Sequence, residues 1–139
     1  MVNAFVVWED RYSVGLEVID KQHKYLFELT NLLYERCRQG DHVMRELFEE
    51  TLHSMVEYVH VHFTTEEKLM EKSKYPEYEV HKKEHADFVR TVLQKGREFE
   101  DGKMGVPLEF VHFLRDWILS HIAVSDKVLA SYLINLKGH

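Results

Sequence analysis

Between Asp20 and Asp126, apolar residues recur at helical spacing in four long segments, and the residues that break helices fall almost only between them. That pattern leaves few alternatives to a bundle of long helices. The 139 residues include only two Pro and six Gly, too few to turn many short strands. With Asp20 as N-cap, the first helix is expected at about 20–39, and Gly40 stands where a helix C-terminus favours it. Asp41 caps a second helix, expected at 41–72. After the loop SKYP, Pro76 opens a third at about 77–101, ending before Gly102. A short KMG loop and Pro107 lead into the fourth, at about 107–126. Segments of this length joined by short loops become antiparallel neighbours. The expected fold is therefore all-α, an up-down-up-down four-helix bundle in one domain over 1–139. Residues 1–19 fit no helix and are expected as an extended arm anchored by Phe5, Trp8 and Tyr12. Residues 127–139 are expected as a short helical tail, continuing the fourth helix or forming a fifth.

Composition narrows the function. Hydrophobic residues at 45% and charged residues at 30% give a globular balance rather than a disordered one. A formal charge of −6 argues against nucleic acid as a partner, because phosphate binding needs a basic face. No apolar run approaches the roughly 18 residues of a membrane helix, so no membrane insertion is expected. In MVNAFVVWEDRY no basic residue precedes the short apolar run and acids follow it, so it does not read as a signal peptide. Cys37 is alone, which excludes an intramolecular disulfide and reads as a core thiol. The expected location is the cytoplasm.

Helical phase then sorts the ten histidines. On the third segment Tyr78, His81, His85, Phe88 and Val92 share one mostly apolar face. On the second, Leu52, Met55, Val59, His62, Glu66 and Leu69 do the same. Phe110, Leu114, Trp117 and His121 line up on the fourth, with Ile118, Ile122 and Asp126 on the adjoining stripe. The first contributes Ile19, His23, Leu26, Phe27, Thr30 and Leu33. A lone inward histidine is ordinarily a hydrogen-bonded core residue. Five inward histidines with two carboxylates are another matter, since burying so many polar groups without strong partners would cost several kcal/mol per charge. His23, His62, Glu66, His81, His85, His121 and Asp126 are candidate metal ligands.

A rival pattern also occurs. Carboxylate-rich di-iron bundles use Glu-x-x-His, found here as Glu50/His53, Glu57/His60 and Glu109/His112. These residues fall on polar stripes, and two of the three motifs share one helix, where the rival architecture spreads them over two. They read as solvated faces.

The inward residues carry a family pattern. The chain resembles the hemerythrins, in particular the single-domain bacteriohemerythrins, through IDKQH with His23, HFTTEE with His62 and Glu66, HKKEH with His81 and His85, and WILSHIAVSD with His121 and Asp126. Trp8, Tyr12, Val14 and Gly15 resemble the N-terminal arm of that family. The resemblance covers nearly the whole chain, least clearly beyond Asp126. It implies two non-haem iron ions inside the bundle, joined by a bridging oxo or hydroxo group, that bind O2 reversibly by two-electron transfer. It also implies that His81, His85 and His121 hold one iron, His23 and His62 the other, and that Glu66 and Asp126 bridge both. Donor counting agrees: five imidazoles, two bidentate carboxylates and one shared oxygen leave one position open on two octahedral ions, on the ion with two histidines. The ligand types alone would also accept zinc, manganese or cobalt. Leu26, Phe27, Phe63, Trp117, Ile118 and Ile122 fall near the site and are expected to form a dry O2 pocket.

The leading expectation is O2 storage, or delivery to an oxygen-consuming enzyme as recipient, rather than catalysis. A di-iron oxidase, peroxidase or nitric-oxide-processing enzyme is the alternative, but no further inward polar group is available for a substrate or a proton relay. An O2 sensor acting through a partner is the third reading, and the chain has no room for an output domain.

Overall fold

The computed structural model describes residues 5–37, 41–100 and 106–137. The readings placed on Gly40, Gly102 and the KMG loop, and on the side chains of Asp41 and Pro107, lie outside the described residues. Five helices follow in order: α1 (Glu17–Cys37), α2 (Asp41–Ser73), α3 (Tyr78–Glu100), α4 (Val106–Ser120) and α5 (Lys127–Lys137). A π-helical turn, His121–Asp126, joins α4 to α5, so the tail continues the fourth helix. Helices α1 to α4 pack in a ring, α1 on α2 and α4, and α3 on α2 and α4. No strand occurs among the described residues. This is the all-α four-helix bundle with an N-terminal arm and helical tail that the hydrophobic periodicity predicts.

The first helix starts three residues before Asp20, so that residue is not its N-cap. Its carboxylate instead accepts hydrogen bonds from Ser13 Oγ (2.6 Å) and Val14 N (2.8 Å), tying the arm to the first turn of α1. Gly15, at φ +85°, lets the chain reverse into that turn. A Cβ there would also come within 3.0 Å of Ile134 Cδ1 on α5. Further out, Asn31 holds the arm through both its amide groups, accepting from Val6 N and donating to Val6 O, each at 2.8 Å. Phe5 stacks on Tyr34, and Trp8 and Tyr12 meet Phe27 edge-on.

Read as one helix, Leu108–Leu136 is 29 residues long and, with a mean hydropathy of 1.2 in its apolar window, could cross a membrane by length and composition alone. It is not an uninterrupted apolar run, since it includes Arg115, Asp116, Asp126 and Lys127. Its inward face is accounted for by the bundle: Phe110, Val111, Leu114, Ile118 and Ile122 all belong to the main core.

That core fills one end of the bundle, with Leu26, Phe27, Leu33, Met55, Val59, Phe63 and Phe88. Smaller apolar clusters close the other end, one of Met70, Tyr75, Leu129 and Leu133 and one of Val14, Ile19 and Ala130. The buried histidines and carboxylates of α1 to α3 and of the π turn lie between these two ends. His23 falls between Ile19 and Leu26, and Glu66 between Phe63 and Met70. A polar layer is thus sealed from both sides by hydrocarbon.

Candidate metal centre

The seven inward residues predicted from helical phase meet in that layer, each at most 4 % exposed. His62 and Glu66 are one turn apart on α2, as are His81 and His85 on α3, so each pair presents both groups on one face. His121 and Asp126 are five residues apart, a spacing that a regular α-helix would point in different directions. The π turn between them removes that divergence, and His121 Nε2 lies 2.8 Å from Asp126 Oδ1.

The seven form two overlapping groups. Ligand atoms of His81, His85 and His121 lie within 4.8 Å of one another and of Glu66 and Asp126, and His23 and His62 make a second such group with the same two carboxylates. Asp126 faces both. Its Oδ1 lies 3.1 Å from His81 Nε2, while its Oδ2 lies 2.7 Å from His23 Nε2 and 3.5 Å from His62 Nε2. Glu66 Oε1 sits among four imidazoles, 3.2 Å from His85, 3.4 Å from His62, 3.5 Å from His81 and 3.7 Å from His121.

Of these approaches His23 Nε2 to Asp126 Oδ2 is a hydrogen bond, while those at Glu66 and at Asp126 Oδ1 are close without being good ones. Both Glu66 oxygens, Asp126 Oδ1, His81 Nε2 and His23 Nδ1 are buried with no hydrogen-bond partner among the described residues. Leaving so many buried polar atoms unsatisfied is expensive unless something else binds them. Burial and the neighbouring Asp126 push the Glu66 carboxyl up, but the charge of His62 and the close imidazoles of His121 and His81 outweigh them and hold it at about 2. Asp126 is likewise lowered, with the charge of His121 overcoming burial. Burial lowers His81, yet the carboxylates of Asp126 and Glu66 beside it raise it to about 9, and His121 is raised in the same way. The carboxylates therefore stay ionised and draw cations to themselves. Protons on the histidines or metal ions between them can supply that charge, and metal ions would also engage the orphaned oxygens of Glu66 and Asp126. The donor set suits a di-iron site.

A further layer of residues orients the imidazoles, and helical phase did not find it. Glu67 accepts from His85 Nδ1 at 2.9 Å, and Glu84 accepts from His121 Nδ1 at 3.1 Å and from Ser125 Oγ at 2.6 Å. Gln22 accepts from His62 Nδ1 at 2.7 Å and donates to Thr65 Oγ1. Such bonds fix the ring tautomer and aim Nε2 inward. The available signal was adjacency: Gln22 precedes His23, Glu67 follows Glu66 and Glu84 precedes His85.

Of the residues expected around an O2 pocket, Leu26, Phe27, Phe63, Ile118 and Ile122 are buried in the main core and Trp117 is partly buried beside it. Phe63 stacks on His85 at 3.8 Å and Trp117 on His121 at 4.4 Å, both on the three-histidine side. A cavity of about 710 Å³, an apolar groove between α2 and α3, reaches Phe63 and His85 but none of the other five. All six residues of the Glu-x-x-His motifs are exposed, and His53 pairs with Glu57, at 3.1 Å.

An antiparallel helical bundle enclosing a two-lobed histidine and carboxylate cluster defines a class of metal-binding protein, and the comparisons agree. The pattern of the hemerythrin HHE cation binding domain matches residues 14–133, and the chain belongs to that family. It is 35% identical to a bacteriohemerythrin of Pseudomonas paraeruginosa, over 88% of this chain and 78% of that one. It is 31% identical to a myohemerythrin of Theromyzon tessulatum, over 86% of each chain. A crystal structure of wild-type hemerythrin superposes with a TM-score of 0.85 at 29% identity, over 94% of this chain and 98% of that one.

Proposed function

We propose that this protein binds O2 reversibly at a non-haem di-iron centre, for oxygen storage or for delivery to an oxygen-consuming enzyme. The observation that carries the reading is Asp126, whose two oxygens face two different histidine groups across a shared buried layer. In this reading His81, His85 and His121 hold one iron and His23 and His62 the other. Glu66 and Asp126 would reach both, and an oxo or hydroxo group would complete the pair. A diferrous pair bound there supplies the two electrons that O2 takes up on binding and returns on release.

The chain's own contribution is positional. The histidines present Nε2 in fixed directions because Glu67, Glu84 and Gln22 hold their other nitrogens. The hydrocarbon of Leu26, Phe27, Ile118 and Ile122 excludes water from the layer, which slows the loss of bound oxygen as a reduced product. No side chain acts as a general acid or base. Residence in the cytoplasm belongs to the same reading.

A di-iron oxidase is the second reading, favoured by the apolar groove that reaches Phe63 and His85. Gas uptake separates the two. A carrier loaded with two ferrous ions takes up one O2 per chain and gives it back on degassing, whereas an oxidase consumes O2 continuously while reductant lasts.

A further inference from the structure

The two halves of the cluster differ in what stands behind their imidazoles. In the three-histidine half, carboxylates back two rings: Glu67 behind His85 at 2.9 Å and Glu84 behind His121 at 3.1 Å. Ser125, carried on the π turn, fixes Glu84 at 2.6 Å. In the two-histidine half the support is neutral or missing. Only the amide oxygen of Gln22 accepts from His62, at 2.7 Å, and His23 Nδ1 is buried without a partner among the described residues.

A carboxylate draws the Nδ1 proton toward itself and makes Nε2 a stronger donor to a metal, and such charge-assisted bonds are about twice as strong as neutral ones. An amide does this weakly. An Nδ1–H with no acceptor does not do it at all, and its burial adds an unmet desolvation cost. One half also has an additional imidazole. The differences in ligand number and in ligand basicity thus favour the same side.

We propose that Glu67 and Glu84 are positioning residues that make the His81, His85 and His121 half the tighter metal site, so that the two ions load and leave in a fixed order. The ion at His23 and His62 enters last and leaves first. This rests on the di-metal reading above and adds to it an asymmetry with a structural cause.

The test is a chelator titration of the iron-loaded protein under anaerobic conditions, counting metal per chain by atomic emission and following helix content by circular dichroism. The parent should release iron in two steps separated by a plateau at about one ion per chain. Glu84→Gln and Glu67→Gln keep side-chain shape and remove the charge, and each should move the second step by roughly 10- to 100-fold in chelator concentration, the usual effect of losing such a partner. Ser125→Ala should move the same step by less. Gln22→Glu should move the first step toward the second, a gain that no merely structural role for Gln22 explains. His62→Ala should abolish the first step and keep the second. Release of both ions together in the parent overturns the proposal, as does a second step unmoved by both glutamine variants or a first step unmoved by Gln22→Glu. A parent that never holds more than one ion contradicts the di-metal reading itself, which is a different and distinguishable failure.

Discussion

His121 and Asp126 are five residues apart in sequence, yet His121 Nε2 and Asp126 Oδ1 are 2.8 Å apart in a π-helical turn. The turn widens one helical repeat so that two residues which α-helical geometry would splay apart enter the same buried layer. Asp126 then reaches back to His23 on α1 with its other oxygen, at 2.7 Å. One carboxylate spans the two lobes of the cluster because the backbone beneath it is irregular.

Removing a bridge should loosen both metals. Glu66 lies between the two histidine groups, with Oε1 within 3.7 Å of four imidazoles. Glu66→Ala should lower iron content below two per chain and reduce thermal stability together, because metal binding is linked to folding. Metal analysis and a melting curve check this, and a variant that keeps both irons would remove Glu66 from its bridging role.

The surface histidines should be dispensable. His53, His60 and His112 are all exposed, although each belongs to a Glu-x-x-His motif. Changing any of them to Ala should alter stability by no more than about 0.5 kcal/mol and leave iron content unchanged. Loss of iron from one of these variants would restore the carboxylate-rich di-iron arrangement as a contender.

Much of this arrangement is legible in the sequence because helical phase is a strong signal when the period is regular. Tyr78, His81, His85, Phe88 and Val92 define an inward stripe on α3 with no structural information, and the same logic finds His62 with Glu66. What it does not reveal is where the period changes. The α-helical rule puts His121 and Asp126 on adjoining stripes, and nothing in the composition of HIAVSD announces a π turn. Asp20 misleads for a different reason: an aspartate before an apolar run is a common N-cap, and here its carboxylate serves Ser13 and Val14 of the arm. Glu67 and Glu84 escape notice because their side chains remain partly exposed, at 28% and 40%, and resemble ordinary surface charges.

Ile118 tests the dry wall. It is 3 % exposed and packed in the core one turn before Ile122. Ile118→Ala should cost about 2 to 5 kcal/mol, the range for truncating a core side chain, and leave all seven proposed ligands in place. Iron should stay at two per chain while autoxidation and azide entry both accelerate. Stopped-flow rates for mutant and parent decide the matter, and unchanged rates at full loading would place the wall elsewhere.

The metal-free protein should have its own pH signature. His81 is raised from 6.5 to about 9, so the stability it contributes is complete below pH 6.5 and lost as pH rises through 9. Glu66 is lowered from 4.5 to about 2, so its contribution is present above pH 4.5 and lost as pH falls through 2. Melting temperatures of the metal-free chain should therefore decline from pH 6.5 to 9. Metal uptake should have the opposite dependence, improving over that window as protons leave the histidines. A metal-free melting temperature that rises through the same window would show that these imidazoles are not held protonated by Glu66 and Asp126.

The most direct measurement is an optical titration. The chain loaded anaerobically with two ferrous ions should be nearly colourless, gain a visible charge-transfer band on exposure to O2, and lose it again when O2 is removed, through repeated cycles. A band that never forms, or one that forms once and cannot be reversed while the protein remains loaded with iron, would contradict reversible O2 binding at this centre.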